Sequence, residues 1–280
     1  MINECVAPGH FYSVIPNINK EYNNIDTKFL NLDFNNDNHI KILNELPNYL
    51  EKFDVTFGIK KKQNEFQYKL MNGTFEWMDA RLLYYFLQKN KPKKIIEIGS
   101  GNSTLLTYNT KTMFNLNLEI ICIEPYPSDY LKSLNKLGHI NLIEDKLQNI
   151  DLNIFKTLDE NDILFIDSSH VVKLDSDVIY YFTEIFPILN KNVLIHIHDI
   201  FFPYDYPIDW LKQGRFWNEQ YFLYVFLQYN TKFKIQFCNS YSKYKYSNEL
   251  KNIQKDSFEI KNKIANEIFS GGSIWLMVME

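Results

Sequence analysis

The feature that most constrains this chain is the stretch KKIIEIGSGNST at residues 93–104. A β-branched run typical of a buried strand ends at Ile98 and gives way at once to Gly99 and Gly101. Lacking a Cβ, these glycines let the backbone turn tightly and come close to a ligand. Ser103 is then placed to cap a helix. A strand, a glycine turn and a helix in direct succession form the opening unit of a parallel sheet covered by helices on both faces.

The rest of the chain repeats the unit. Apolar runs at Glu119–Ile123, Ile140–Ile143, Ile163–Ile166 and Val193–Ile197 alternate with amphipathic segments at Ser128–Leu137 and Asp175–Phe186. A further helix, with Leu82, Leu83, Phe86 and Leu87 at helical spacing behind an Asp79 cap, precedes the first run and stops before Pro92. Asn218 reads as the cap of a last helix reaching Tyr229. Two closing runs, Phe233–Phe237 and Ser273–Val278, lack a clear intervening helix and predict an antiparallel edge. The expectation is an α/β fold: a doubly wound, mostly parallel seven-stranded sheet with an antiparallel edge strand. It occupies residues 79–280, with a loop and helix insertion at about 239–270. Residues 1–78 form an N-terminal helical and irregular extension, irregular and surface-exposed over 17–38. Its aromatics Phe11, Tyr12, Phe57, Phe75 and Trp77 suit a lid.

Composition narrows the function. Thirty basic and thirty-four acidic residues leave a net charge of −4, which disfavours a nucleic-acid partner whose phosphates must be neutralised. The three cysteines, Cys5, Cys122 and Cys238, have no zinc or disulfide spacing, so a reducing cytoplasm is expected. No apolar run approaches the ~18 residues of a membrane span, and no membrane partner is expected. A homo-oligomer is compatible with all of this.

The glycine turn alone does not separate a dinucleotide from other nucleosides. The third small residue of a dinucleotide fingerprint is missing, because Thr104 stands there, and Glu97 before the turn suits a cationic ligand end better than a phosphate. Glu124 ends the second strand, where two carboxylate oxygens can grip both hydroxyls of a ribose. Asp145, after the third strand, is placed to accept from an adenine amine.

With Glu97, Gly99 and Gly101 as E-x-G-x-G and the acids Glu124 and Asp145 in register, the chain resembles the class I S-adenosylmethionine-dependent methyltransferases from about Met78 onward. The segments FIDSSHVVKLDSDV, HIHDIFFPYDYP and FWNEQYFLYVFL are more narrowly similar to the family 24 methyltransferases, which resemble O-methyltransferases of sugars and other small hydroxyl compounds. The resemblance implies a Rossmann-like topology. It also implies a donor site from Glu97, Gly99, Ser100, Gly101, Ser103, Thr104, Glu124, Asp145 and Asp167.

Ligands of open α/β sheets bind beyond the carboxyl ends of the strands. After the fourth and fifth strands stand Asp167-Ser168-Ser169-His170 and His196-Ile197-His198-Asp199. A sugar hydroxyl is too weak an acid to accept a methyl group unaided, so an imidazole must take its proton or a divalent ion must lower its pKa. In metal-dependent relatives, acids matching Asp167 and Asp199 serve the chemistry and the histidine matching His170 looks like the base. Those relatives carry adjacent acids after strand five, whereas here His198 precedes Asp199. Mg²⁺, or Mn²⁺ with His198 replacing a ligand beside Asp167 and Asp199, is the metal expectation. His196 reads as a core residue. His198, Tyr204, Arg215, Trp217 and Tyr221 are the candidate residues for the acceptor, a small molecule or glycan, with Trp210 a further stacking group. The alternatives are a metal-independent small-molecule N- or O-methyltransferase and an inactive nucleoside-binding protein.

Overall fold

The computed structural model describes residues 6–21, 27–58, 64–254 and 271–280. Cys5 and positions 255–270 of the expected insertion lie outside the described residues. Two helices, α1 (Asn36–Glu45) and α2 (Pro47–Phe57), lead to α3 (Trp77–Asn90). The alternating part follows as β1 (Lys94–Ile98), α4 (Asn102–Phe114), β2 (Glu119–Ile123), α5 (Asp129–Lys136), β3 (Asn141–Ile143), β4 (Ile163–Ile166), α6 (Asp177–Tyr180) and β5 (Leu194–His198). The chain continues through α7 (Ile208–Lys212), α8 (Glu219–Gln228), β6 (Phe233–Cys238), α9 (Asn239–Lys245) and α10 (Ser247–Gln254) to β7 (Ser273–Val278).

The strands form one sheet in the order β3-β2-β1-β4-β5-β7-β6. β1 to β5 run parallel, whereas β7 is antiparallel to both β5 and β6. The reversed strand therefore lies one place in from the edge. β1 pairs with β2 on one side and β4 on the other, so their onward connections diverge and leave a crevice beyond their carboxyl ends. β4 and β5 are buried throughout, which is why they read as unbroken apolar runs.

The core is continuous from the N-terminal helices to the last strand. Ile42, Leu43, Leu50, Phe53 and Phe57 of α1 and α2 belong to the same buried cluster as Ile96, Phe165 and Leu276 of the sheet. α3 is buried from Met78 to Leu87 because α2 and α4 pack against it and the ring of Phe86 meets Trp275 of β7. Within 17–38, expected as surface, Phe29, Leu32 and Phe34 are buried in this core. Of the five aromatics expected in a lid, Phe57 and Phe75 are buried and Phe11 and Tyr12 are exposed. Among the described residues, no helix is long and apolar enough to cross a membrane.

Several ends differ from expectation, two of them because a polar side chain bonds elsewhere. α3 begins at Trp77, and Asp79, expected as its cap, lies buried in the first turn, accepting from Asn239 and from the Gly272 N–H at 3.1 Å. Gly101 holds the cap position of α4, and Ser103 instead donates to Glu97 at 3.3 Å. The segment expected as one helix over Asp175–Phe186 is α6 followed by a π turn at Tyr181–Ile185 and a 3-10 turn at Phe186–Ile188.

Candidate active site

Two clefts open beyond the carboxyl ends of the strands. The first, of about 520 Å³, follows β1, β2 and β4 and is lined by Gly99, Glu124, Tyr126, Lys146, Asp167 and Ser168. The second, of about 600 Å³, follows β5 and takes in Trp77, Asp79, His198, Asp199, Tyr204 and Trp210.

The glycine turn builds the first cleft. Gly99 has φ +76, and a Cβ there would lie 1.9 Å from the Asp167 carbonyl oxygen, so only glycine lets β1 and β4 end side by side. The Gly99 N–H donates to the Ile123 carbonyl at 3.0 Å and the Asp167 N–H to that of Ile98 at 2.8 Å, stitching three strand ends together. Glu124 accepts from the Ser100 N–H at 3.2 Å and the Tyr126 N–H at 2.8 Å, which fixes its carboxylate in the cleft.

Two of the acids expected beside them stand elsewhere. Glu97 is fully buried beneath α4, accepting from Ser103, Thr104 and Thr107. Thr104 also accepts from the Gly101 N–H at 3.1 Å. Glu97 thus anchors the turn from inside, and burial pushes its carboxyl up to about 7 against the pull of those hydroxyls. Asp145 is exposed and accepts from Asn149 and the Lys146 N–H, which hold it below its ordinary value. Lys146, Leu147 and Gln148, rather than Asp145, line the first cleft.

Between the clefts lies His170, only 4 % exposed, with φ +59. Its Nε2 is 3.3 Å from Asp167 Oδ1 and 3.5 Å from Asp199 Oδ2. One ligand atom from each of Asp167, His170 and Asp199 lies within 4.8 Å of the other two. His198 stands outside this group of three, with its Nε2 3.7 Å from Asp199 Oδ1. Burial alone would lower both imidazoles. For His170 the bonds to Asp167 and Glu219 outweigh it, and for His198 the charges of Asp199, Asp167 and Asp79 do, so both rise above the ordinary histidine value. Burial raises Asp199 to about 6 against the pull of the His198 and His170 charges. His196, fully buried and stacked 4.1 Å from Phe165, is driven well below its ordinary value by burial, the behaviour of a neutral core residue.

The expected acceptor residues divide. His198 and Tyr204 line the second cleft, together with Trp210. Arg215, Trp217 and Tyr221 line a separate cavity of about 750 Å³ that also touches Phe29 and Leu211. Trp217 nevertheless meets the His170 ring at 4.2 Å, and Arg215 lies over both Trp210 and Trp217, at 4.9 and 5.5 Å. Asp79 and Glu219 were not expected at the site, and Trp77, expected as part of a lid, lines the second cleft. Asp79 read as a helix cap, and Glu219 showed only as the first helical residue after Asn218.

Residues 96–200 match a family model described as a methyltransferase domain. An uncharacterised protein of Archaeoglobus fulgidus is 36% identical over 170 residues, which cover 57% of this chain and 76% of that protein. The chain belongs to this family, and it is an S-adenosylmethionine-dependent methyltransferase. Among solved structures, a methyltransferase of Podospora anserina bound to S-adenosylhomocysteine is 19% identical over 56% of this chain and 71% of its own, at a TM-score of 0.39. A putative O-methyltransferase from Klebsiella pneumoniae is 12% identical over 85% and 90%, at a TM-score of 0.40.

Proposed function

We propose that this enzyme transfers the methyl group to a hydroxyl of a sugar or another small polyhydroxylated acceptor. The donor lies in the first cleft and the acceptor in the second. The observation that carries the reading is the convergence of Asp167, His170 and Asp199 at the junction of the two clefts. A group shared by both clefts is where the donor methyl and the acceptor oxygen would meet in line. Trp77, Trp210, Tyr204 and Tyr244 offer ring faces on which a sugar can stack, and Lys243 stands among them.

Glu124, held open by two backbone N–H groups, supports the ribose end of the donor, and Gly99, Ser100 and Gly101 let it approach the strand ends. At the acceptor, the groups able to take or hold a proton are His170 Nε2 and the two carboxylates facing it. The same three side chains fit a divalent ion. Two carboxylate oxygens and one imidazole nitrogen suit Mn²⁺ and, with more water, Mg²⁺. Such an ion would lower the pKa of an acceptor hydroxyl. One observation favours a metal-free second reading: His170 Nε2 already stands within ion-pair distance of both acids, an arrangement that a shared proton satisfies.

Calorimetric titration of Mn²⁺ into chelator-treated protein saturated with S-adenosylhomocysteine separates the two. Binding that is lost in Asp167→Ala and Asp199→Ala is the expected result. Absence of binding would leave His170 as the base without an ion. Failure to saturate with the nucleoside would remove the donor site from the first cleft.

A further inference from the structure

The other nitrogen of His170 faces a fully buried carboxylate that lines neither cleft. Glu219 Oε2 is 2.7 Å from His170 Nδ1, and the Tyr181 hydroxyl donates to Glu219 Oε1. A carboxylate accepts and does not donate, so the ring hydrogen in this contact belongs to Nδ1. The start of α8 holds the rest of His170 as well. The N–H groups of Asn218 and Glu219 donate to the His170 carbonyl at 3.1 and 3.3 Å. The Asn218 side chain accepts from the Val172 N–H at 2.6 Å and donates to its carbonyl at 3.3 Å. These contacts secure a histidine at φ +59, a backbone conformation uncommon for residues other than glycine. The π turn at Tyr181–Ile185 contributes the Tyr181 hydroxyl to the same contact.

We infer that Glu219 is the positioning residue for His170, its carboxylate keeping the ring hydrogen on Nδ1 so that Nε2 faces Asp167 and Asp199 as the working atom. Tyr181 holds Glu219 in turn. The inference rests on the proposal that the transfer takes place at His170 Nε2. It explains why a carboxylate is buried where no substrate reaches: an imidazole with a fixed tautomer presents one defined lone pair, to a proton or to an ion.

The test is a ¹⁵N spectrum of the histidine rings of the full chain, with His170 assigned by its disappearance in His170→Gln, recorded as pH is raised until the ring is neutral. In the wild type the remaining proton is expected on Nδ1. In Glu219→Met, which keeps the length of the side chain and removes both oxygens, it is expected to move largely to Nε2. A wild-type ring carrying its proton on Nε2 overturns the inference, and so does an unchanged Nδ1–H in Glu219→Met. Should Glu219→Met fail to fold, the wild-type spectrum decides alone. Mn²⁺ affinity gives a second readout, expected to fall about 10- to 100-fold in Glu219→Met while S-adenosylhomocysteine binding is kept. Wild-type protein that binds no Mn²⁺ would end the metal reading and leave the tautomer result to judge Glu219.

Discussion

A single missing atom at Gly99 sets the distance between the first and fourth strands at the site. Its φ of +76 is one that side chains resist, and the space beside it is already filled by the Asp167 carbonyl. The sequence disclosed the need for glycine here, since strand, turn and helix follow one another without spare residues. It did not disclose that the obstruction is protein backbone rather than ligand. Gly99→Ala must therefore push Asp167 away from β1. The expected cost is about 3 kcal/mol of unfolding free energy, from left-handed strain and forced separation together. Urea unfolding measures it, and a loss below ~1 kcal/mol would mean that the turn relaxes freely. Glu97 shows the converse. An acid before a glycine turn reads as ligand-facing, yet its strand lies between β2 and β4 with α4 above it, and the hydroxyls of Ser103, Thr104 and Thr107 claim it.

At the scale of elements, strands were legible and ends only in part: Ser128 and Leu137 bound α5, and Asn218 and Tyr229 bound α8, as their residues suggest. The central strands are buried on both faces and need no partner beyond the sheet, so composition alone marks them. The misread end depends on distant partners: Asp79, expected as a cap, meets Asn239 and Gly272. α1 illustrates such a contact in the structure's favour. Its residues cover the free edge of β6, where Asn35 and Asn38 donate to the Ile235 and Gln236 carbonyls at 2.9 Å and His39 Nε2 accepts the Cys238 N–H at 3.0 Å. His39 is fully buried, and burial lowers its ring to about 4 despite opposing backbone bonds. Protonation therefore favours the unfolded chain. Stability from this group is complete above the unfolded value of 6.5 and is lost as pH falls toward 4. Relative to His39→Gln, the wild type should lose about 3 kcal/mol across that window. Denaturation curves at pH 7 and pH 4 test this, and parallel losses in the two proteins would assign the sensitivity to another group.

Across the whole molecule, the boundary expected near residue 78 has no counterpart in the packing of the described residues. Nor could local pattern show β7 between β5 and β6, because that pairing joins segments far apart in sequence. The N-terminal helices are tied to α3 by an ion pair with almost no exposure, Arg81 Nη2 to Asp54 Oδ1 at 2.8 Å, beside the ring of Phe53. Burial raises the Asp54 carboxyl even against the attraction of Arg81, so the pair is expensive to desolvate and its value lies in its completeness. Asp54→Leu leaves a buried guanidinium without this acid and should cost about 3–5 kcal/mol. The double variant Asp54→Leu/Arg81→Met replaces both charges by apolar groups of similar size and should recover most of that loss. Because α3 also carries Trp77 and Asp79 into the second cleft, the single variant should disturb that cleft and the double variant restore it. Urea midpoints of the three proteins, followed by Trp fluorescence and by circular dichroism, decide the matter. Coincident midpoints are expected, since one core runs through both parts; a separate early transition in Asp54→Leu would make residues 36–57 a unit that unfolds independently of the sheet.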